Sequence, residues 1–453
     1  SLTTSGGFLV TLTVEDGAGQ TSTSQMAISV DVNRPPDVIT VPWVAFDPLA
    51  PHETYNGKAI RLKGIVRDAD ATQFRWDFGD GTSSSVEPVT NVYDLSVTHT
   101  YPDAPAGTPF TATLRVWDSA GNEGTADYYV RLRPLNLNTE INFAIDEGLW
   151  YLHQTQTRAT SSGYPVGYWT SNARASATSS ALQAFHLNGH LESINHQTDP
   201  YAETSMRGLR QLFTYLSPTT IGLQTYGEPD SNGNSLVLTV NSAGQGHAIY
   251  RGGQVMDAIA SSGNPLARTI TGGSGVHRRS YFHVLQDMVD QYSWGQSDGG
   301  AWRYSWNSGI DNSAAQWGAI GVIAAEDIFG IPVPLWVKER NLVWLATSRN
   351  NGGFGYTNGG PTRPGTPSGL VQLVLDDVPK RDGRWATAQA WVQKKWTSQF
   401  IINPGNRPSY PYYALTKSMR LALPEPVVTF ENGFDWFRDP DLGLARTLID
   451  DQM

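Results

Sequence analysis

The sequence predicts a β-sandwich in its first third and a larger array of paired helices in the remainder. Three observations predict this division. Apolar and polar residues alternate before Pro134, the apolar period lengthens to about 3.6 residues after it, and glycine-rich loops with an aromatic residue recur between the later helices. With 453 residues, the chain is long enough for about two to four domains, each with its own core.

Composition excludes several classes of protein. The net charge is -10 and no stretch of sequence is strongly basic, so nucleic acid is not an expected partner. No apolar run approaches the ~20 residues that a membrane helix needs. Cysteine is absent, which removes disulfides, thiolate metal sites and cysteine nucleophiles. The low charged fraction of 16%, with abundant Ser, Thr, Asn and Gly, suits an extracellular or cell-surface location on a bacterium.

An alternating strand followed by a turn occurs twice in the N-terminal third. Phe8–Gly19 and Phe110–Gly121 each start with an aromatic residue, continue with alternating apolar positions and reach an Asp before the turn. The offset from Phe8 to Phe110 is 102 residues, about the length of one immunoglobulin-like domain. Only the second copy has further strands upstream. The sequence therefore predicts a complete sandwich over residues 34–134 and the last two strands of another over residues 1–33.

Residues 36–134 resemble a PKD domain, an immunoglobulin-like module common in secreted and surface proteins. The resemblance rests on the run Trp76–Gly81 (Trp-Asp-Phe-Gly-Asp-Gly) and on His99-Thr-Tyr101. It implies that Trp76 fills the core between two sheets and that Tyr101 holds a corner.

Residues 1–33 have two interpretations. Either the chain begins within a preceding module, or the two strands complete a sheet of another subunit by strand addition. Five acidic residues of the sandwich invite a calcium interpretation as well: Asp68, Asp70, Asp77, Asp80 and Asp118. Calcium needs six to eight oxygens at one point, whereas isolated carboxylates commonly form turns. Asp68, Asp70 and Asp118 are the calcium candidates if these carboxylates converge.

After Pro134, the 3.6-residue period predicts about ten helices joined by glycine-rich loops. The predicted segments are 141–156, 177–188, 201–215, 253–261, 280–292, 313–328, 334–348, 368–378, 384–400 and 410–423. Gln296–Tyr304 and Asn350–Tyr356 both follow a helix with a Gly-Gly-aromatic loop, and Gly167–Trp169 is a weaker copy. The repeated unit is therefore a helix, an aromatic loop and another helix.

This arrangement resembles the α/α toroid of the terpenoid cyclase and prenyltransferase superfamily. Gln296, Gly300 and Trp302 have the spacing of its QW motif. The resemblance implies a toroid of about five to six helix pairs over residues 135–425, with an insertion at 218–250 and an aromatic, acidic tail at 426–453 that docks on its own surface or on a neighbour. The family's chemistry does not carry over, because the chain has neither an Asp-x-Asp-Asp run nor any cysteine.

In such a toroid the inner helices direct their N-termini toward a central mouth, where aromatic and polar residues can bind a sugar. The ligand-binding candidates are Trp169, Trp302, Tyr304, Trp306, Asp311 and Gln316. The alternative is that the tryptophans fill the core.

A second group has the residue types that a polysaccharide lyase needs, namely a Tyr or His base and an Arg that neutralises a uronate. Its members are His247, Tyr250, Arg251, His277, Arg278 and Tyr281; scattered solvated positions are the alternative. His186 and His190 have zinc-ligand spacing but lack the Glu of an H-E-x-x-H motif, so no metal or other cofactor is expected.

Three functions remain, and the least favoured is terpenoid binding without cyclisation, which a polar toroid interior would exclude. The favoured hypothesis is a non-catalytic extracellular protein used for adhesion or self-assembly, with further copies of itself or a polysaccharide as partner. The alternative is a secreted carbohydrate-active enzyme, either a polysaccharide lyase or a glycoside hydrolase, with its site in the toroid mouth.

Overall fold

The computed structural model describes residues 6–17, 19–30, 34–240, 247–401 and 409–452. The chain divides into two compact units. The first, here the β-unit, is Ser1–Val41 with Asn56–Leu132, and the second, the helical unit, is Pro42–Tyr55 with Arg133–Met453. The short segment Pro42–Tyr55 belongs to the helical unit because His52 Nδ1 lies 3.0 Å from Asp146 Oδ2 and Arg133 pairs with Glu53.

The β-unit is built from short antiparallel strands. Strands β11, β10, β7 and β8 lie side by side in that order, while β3 pairs with β6 and β5 pairs with β9. In chain order the strands before residue 135 are β1 (Gly6–Glu15), β2 (Thr21–Val30), β3 (Val38–Thr40), β4 (His52–Thr54, in the helical unit), β5 (Ile60–Leu62), β6 (Gly64–Val66), β7 (Ala71–Asp77), β8 (Glu87–Pro88), β9 (Val97–His99), β10 (Pro109–Asp118) and β11 (Glu123–Leu132).

Two aromatic residues hold the core of this sandwich. Trp76 is fully buried and its Nε1 donates to the carbonyl of Leu95 at 2.7 Å. Tyr101 is buried as well, and its hydroxyl donates to the carbonyl of Phe78 at 3.0 Å. A buried indole or phenol needs such a partner, because an unpaired polar group in the core is costly. The structure thus gives both residues the positions that the sequence predicted.

Strands β1 and β2 repeat the hairpin formed by β10 and β11. Both hairpins turn at an Asp whose carbonyl accepts from a glycine three residues on, Asp16 from Gly19 and Asp118 from Gly121. Their apolar side chains differ in exposure. Leu12 is 63% exposed, whereas its equivalent Leu114 is fully buried. The β1–β2 hairpin therefore has the apolar pattern of a strand that is buried in a sandwich, but its apolar side chains are exposed to solvent.

Eleven α-helices lie in the described part of the helical unit. They are α1 (Leu137–Thr155), α2 (Arg174–Leu187), α3 (Pro200–Thr214), α4 (Ala248–Ala260), α5 (Tyr281–Trp294), α6 (Asn312–Phe329), α7 (Leu335–Ser348), α8 (Gly365–Leu375), α9 (Gly383–Lys395), α10 (Ser409–Arg420) and α11 (Leu444–Gln452), with a π-helical turn at Trp396–Phe400. Three short hairpins join some of them: β12 (Thr157–Ser161) with β13 (Tyr164–Tyr168), β14 (Leu216–Thr220) with β15 (Leu236–Val240), and β16 (Arg349–Asn350) with β17 (Gly353–Phe354).

Five helices contact one another in sequence: α2 with α4, α4 with α6, α6 with α8, and α8 with α10. The Tyr413 hydroxyl of α10 donates to Gln183 Oε1 of α2 at 2.5 Å, which links the last helix of the series to the first. These five helices are here called the ring helices. Helices α3, α5, α7 and α9 each pack against a ring helix adjacent in the chain. Every residue of α8 is buried, as expected of a helix enclosed by others.

The first Gly-Gly-aromatic loop joins α5 to α6 and is fixed by backbone contacts. Gln296 Nε2 donates to the carbonyls of Gly300 and Val337, each at 2.9 Å. Gly300 has a φ of 89°, and a Cβ there would lie 2.0 Å from the carbonyl oxygen of Arg340. Only glycine fits this close approach to α7. The recurring glycine in the sequence therefore marks contact between neighbouring helices.

The C-terminal tail docks on its own unit. Trp436 is almost fully buried, and its Nε1 donates to the carbonyl of Val427 at 2.7 Å. Helix α11, which the sequence did not predict, packs on α1 through an ion pair between Arg446 and Glu140. Residues after the predicted end of the toroid at 425 therefore contribute side chains to the core of the helical unit.

The predicted insertion at residues 218–250 lies on helices α5 and α7. Strand β15 packs on α4 and α5, and Gln224 Nε2 donates to the carbonyl of Trp294 at 2.8 Å. Gly227 lies against the indole of Trp336. Residues 248–250 already belong to α4, so the predicted helix at 253–261 began too late. Residues 241–246 lie outside the described part of the chain.

Three histidines on and after α2 have separate partners. His186 Nδ1 lies 2.9 Å from Ser261 Oγ, His190 Nδ1 lies 2.8 Å from Asp199 Oδ2, and His196 Nε2 lies 3.1 Å from the carbonyl of Glu192. Within the described ranges, no group of three or more His, Cys, Asp or Glu side chains is placed to hold a metal ion. In those ranges no helix is long and apolar enough to cross a membrane.

We expect His186 to make the stability of the helical unit depend on pH. Burial lowers its pKa from 6.5 to about 4, so the folded state favours the neutral ring. Its contribution, about 3 kcal/mol, is complete above pH ~6.5 and is lost as pH falls through ~4. Between pH ~6.5 and ~4, the free energy of unfolding measured with denaturant should fall less steeply for His186→Gln than for the parent. The exposed-residue variant His277→Gln should retain the parental slope, and equal slopes in all three proteins would contradict the assignment.

We expect Gly253→Ala to destabilise the helical unit by about 3 kcal/mol, since overpacking a close contact costs this order of free energy. An added Cβ would lie 1.9 Å from the carbonyl oxygen of Trp317, where α4 crosses α6. Gly383→Ala is the matched control, because its Cβ would meet nothing within 4 Å. Denaturant unfolding should show a lower midpoint for the first variant and an unchanged or slightly higher one for the second. An unchanged midpoint for Gly253→Ala would contradict the close packing.

Candidate functional site

The N-terminal ends of four ring helices, α4, α6, α8 and α10, meet around one cavity of about 300 Å³, here called the mouth. Its lining residues are Tyr250, Asn312, Ser313, Tyr356, Pro364, Gly365, Ser368 and Tyr410. A larger, more open depression of about 740 Å³ is lined by Lys380, Gln389 and residues 425–431. We regard the mouth as the candidate site because hydroxyl and aromatic groups converge there around a buried carboxylate.

Asp311 is the residue around which the mouth is organised. It is the N-cap of α6, and its Oδ1 accepts from the backbone N–H of Ala314 at 2.8 Å. The loop before it turns twice, at Asn307 (φ 53°) and Gly309 (φ 68°), conformations that Asn and Gly adopt most readily. These turns bring Tyr304 back to the N-terminal end of α6.

A network of hydroxyl groups ends at the Asp311 carboxylate. The Tyr250 hydroxyl donates to Ser313 Oγ, which in turn donates to Asp311 Oδ1 at 2.6 Å. The Tyr356 hydroxyl donates to Asp311 Oδ2 at 3.0 Å and also lies 3.0 Å from the hydroxyl of Tyr304. The carboxylate is fully buried, and Arg303 Nε lies 3.3 Å from Oδ2. The arrangement connects three phenols and one serine to a single buried acid.

Aromatic rings form one wall of the mouth. The rings of Tyr250 and Tyr304 are stacked, with centroids 5.9 Å apart. The His247 imidazole packs against Tyr304 with a centroid distance of 4.6 Å. Tyr304 is 37% exposed and Tyr356 is 43% exposed, so both offer ring surface and a hydroxyl to solvent. Such surfaces suit the apolar faces and hydroxyls of a sugar ring.

The phenols of the mouth are protonated at neutral pH. Burial raises the pKa of both Tyr250 and Tyr410. Burial, its hydrogen bond with Tyr304 and the nearby Asp311 charge raise the pKa of Tyr356 to about 12. Tyr356 is therefore a hydrogen-bond donor to Asp311, and Tyr250 is a donor to Ser313. The positive ends of four helix dipoles also point at the mouth and favour negative charge there.

The mouth has a floor of packed side chains. Trp317 lies between Tyr410 and Tyr413, with ring centroids 6.3 and 5.1 Å away. Below it, Asp257 accepts from the Tyr413 hydroxyl at 2.8 Å and pairs with Lys417 Nζ. Side chains of α4, α6 and α10 therefore pack together beneath the mouth.

The structure separates the predicted ligand-binding residues into two groups. Tyr304 and Asp311 belong to the mouth, and Gln316 lies beneath it, where its Oε1 accepts from Ser368. Trp169 and Trp302 are buried in the core, and Trp306 is partly buried against it. Trp169 Nε1 donates to Leu152, Trp302 Nε1 donates to Tyr292, and Trp306 packs edge-on against Tyr292 at 5.0 Å.

The predicted lyase group does not assemble as one cluster. His247 and Tyr250 lie at the mouth. His277 and Arg278 are exposed in the loop between α4 and α5, where the Arg278 N–H donates to Thr269 at 2.9 Å. Tyr281 is buried against Phe213, and Arg251 is buried within α4.

Among the hydroxyl-bearing residues that line the mouth, sequence reasoning missed four: Ser313, Tyr356, Ser368 and Tyr410. The signal for them was present. Ser313, Ser368 and Tyr410 are the first residues of predicted helices, and Tyr356 ends the second Gly-Gly-aromatic loop.

The calcium candidates of the β-unit form a turn. Asp118 Oδ1 accepts from the N–H groups of Ala120 and Asn122, each at 2.8 Å, and Asp70 accepts from Ser119. Burial and the neighbouring Asp70 raise the pKa of Asp68. The carboxylates are thus close together, but those of Asp70 and Asp118 already serve turn hydrogen bonds.

Comparison with known proteins identifies the first domain. The PKD domain model matches residues 50–127. The PKD1 domain of Vibrio anguillarum Epp is 22% identical over 18% of this chain and 84% of its own length, with a TM-score of 0.14. No curated protein matches the chain.

Two larger solved structures align with more of the chain. A family 76 glycoside hydrolase from a bovine Bacteroides thetaiotaomicron strain is 9% identical over 82% of this chain and 83% of its own, with a TM-score of 0.38. The E. coli alpha-2-macroglobulin is 11% identical over 99% of this chain but only 28% of its own, with a TM-score of 0.31. TM-scores this low leave the activity of the helical unit open. The family model and the sandwich geometry establish a PKD domain, followed by a helical region.

Proposed function

We propose that the chain is a secreted carbohydrate-active enzyme that binds an acidic polysaccharide at the mouth and cleaves it by β-elimination. The observation that carries the proposal is the network of Tyr250, Ser313, Tyr356 and Tyr304 hydroxyls ending at the buried Asp311. A PKD domain fits an extracellular setting. The proposal includes an α/α toroid of about five to six helix pairs, similar to the terpenoid cyclase superfamily in architecture alone.

The number of carboxylates favours a lyase over a hydrolase. Glycoside hydrolases generally use two carboxyl groups, roughly 5–10 Å apart, on either side of the scissile bond. Among the described residues that line the mouth or its hydroxyl network, Asp311 is the one carboxylate. The adjoining segments 241–246 and 402–408 contain no Asp or Glu in the sequence. A mechanism that needs one buried acid and several hydroxyls therefore suits this site better.

The hydroxyl network offers a path for the proton removed in β-elimination. In such a reaction a base takes the proton next to the uronate carboxylate, a carbon–carbon double bond forms and the glycosidic oxygen leaves. The Tyr250 oxygen would act as the base and accept the substrate proton. As it does so, Tyr250 would give its own hydroxyl proton to Ser313, and Ser313 would give its proton to Asp311. The raised pKa of Tyr250 makes a free phenolate unfavourable, so the linked transfer is the more accessible route.

The electrostatics of the mouth suit the negative substrate. The positive ends of four helices and the Arg303 guanidinium would attract a uronate carboxylate. Arg303 is 46% exposed and so can reach a bound sugar. Arg303 lies over the Tyr304 ring at 5.5 Å, so a sugar stacked on the aromatic wall would lie beside it. The leaving oxygen would take its proton from Tyr356 or Tyr304, whose phenols are solvent-exposed.

We expect the chain to release unsaturated uronate sugars from uronate polymers and to leave neutral glucans and mannans intact. Ser313→Ala should lower turnover by about 10²-fold or more, because it interrupts the proton path. Asp311→Asn should have a similar effect while keeping the helix cap, since Asn caps as well as Asp. Ultraviolet absorbance of the new double bond measures the product.

Tyr226→Phe is the matched control, because this phenol donates to Asp298 on the α5–α7 side of the unit. Its turnover should equal that of the parent. New reducing ends without the double bond would show a hydrolase, and binding without cleavage would show a non-catalytic protein. Either result would overturn the lyase proposal.

A second candidate function is self-assembly at the cell surface, and the exposed β1–β2 hairpin favours it. Leu12 and Val14, on one face of β1, are each more than half exposed. A second copy that paired with this hairpin would bury them. Light scattering should then show a concentration-dependent dimer that Leu12→Lys abolishes while the control Thr13→Lys does not. A monomer at all concentrations would contradict assembly.

A further inference from the structure

The loop from Asp230 to Leu236 has the spacing of a calcium-binding loop. Asp230, Asn232 and Asn234 occupy the first, third and fifth positions, which supply side-chain oxygens in such loops. Ser235 stands at the sixth position, where the motif usually has glycine, and it has a φ of 58°. A serine that adopts this conformation preserves the sharp turn that the motif requires.

Helix α5 adds two carboxylates on the side facing this loop. Asp287 and Asp290 are both fully buried. Asn232 Nδ2 and Asn234 Nδ2 donate to Asp287 Oδ1 at 3.0 and 3.1 Å, and Arg279 pairs with Asp287 Oδ2. The two loop amides are therefore already gathered around the helix.

Asp290 is the observation that points to a missing ligand. Both of its carboxylate oxygens are buried and neither has a hydrogen-bond partner. Ser231 of the loop lies beside it, and the Ser231 hydroxyl accepts from Gln286 Nε2 of the same helix at 3.1 Å. No bond of ordinary length and angle joins Ser231 to the Asp290 carboxylate. A buried carboxylate without a partner costs several kcal/mol, and a cation offsets that cost directly.

We propose that this loop and α5 bind one calcium ion. The ligands are side-chain oxygens of Asp230, Asn232 and Asn234, the Leu236 carbonyl, and the Asp290 carboxylate. All are oxygens, the donor type that calcium prefers, and water completes the six to eight that it takes.

The described carboxylates do not yet form a cage of three around one point. The amide groups of Asn232 and Asn234 must turn so that oxygen, in place of nitrogen, faces the ion. Asp230 already accepts from Gly233 at 2.9 Å and from Ser235 at 2.8 Å. These bonds use one lone pair on each oxygen and leave the other for a cation. The rearrangement is confined to two side-chain amides. Their oxygens would exchange the bonds from the N–H groups of Asn234 and Leu236, and their nitrogens the bonds to Asp287, for the ion.

The ion would fasten residues 221–236 to α5. This segment also contacts α5 and α7 through Gln224 and through Gly227 against Trp336. The site is consequently a structural one, and it is independent of the chemistry proposed for the mouth.

The test is a calcium titration of the full chain after removal of metals with a chelator. Calorimetry should show a site that Asp290→Asn abolishes, and calcium at about ten times its Kd should raise the melting temperature by roughly 3–6 °C. Without calcium, Asp290→Asn should melt at or above the parental temperature, because it removes an unpaired buried charge. Magnesium at the same concentration should have a smaller effect, since the site is flexible and rich in neutral oxygens.

Two controls make the result decisive. Asp441→Asn, on an exposed loop of the same unit, should keep the full calcium effect. Asp70→Asn should keep it as well, which excludes the turn carboxylates of the β-unit as its source. A calcium effect that survives Asp290→Asn, or no effect in the parental protein, would overturn the proposal.

Discussion

The Asp311 carboxylate is the interaction on which the organisation of the mouth depends. One oxygen caps α6 and accepts from Ser313, while the other accepts from Tyr356 and faces Arg303. A buried carboxylate is stable only when its oxygens are satisfied, so each of these partners is held in place by the same charge. The same carboxylate that caps the start of α6 thus holds Tyr356, from the loop before α8, beside it.

Close helix packing makes that convergence possible. Helix α4 approaches α6 so closely that Gly253 lies against the carbonyl of Trp317, and Gly321 against that of Gly253. Larger residues at these crossings would push the helices apart and widen the ring. The small residues therefore set the diameter of the ring. Trp317, Tyr410 and Tyr413 then pack together beneath the mouth.

The sequence predicted the sandwich, nine of the helices within a few residues and the helix-start location of a site, because these follow from local periodicity and turn chemistry. Helix α4 was placed five residues late, since His247 begins it without a side-chain cap. Helix α11 was missed because its nine residues are too few for a periodic signal. Which aromatic residues face the mouth depends on tertiary packing. Trp302 and Tyr304 are two residues apart, yet one is core and the other is exposed.

Asp311 and Asp290 show what separates a complete polar site from an incomplete one. Both are fully buried acids of the helical unit. Asp311 sits at a helix N-terminus, where N–H, hydroxyl and guanidinium groups satisfy both oxygens. Asp290 sits within a helix, where the backbone N–H groups are already used, and both of its oxygens lack a partner. A charge of the first kind can receive a proton and remain supported by its neighbours. A charge of the second kind must instead stay protonated or obtain a cation, and the oxygen-rich loop beside it is what makes the cation the better solution.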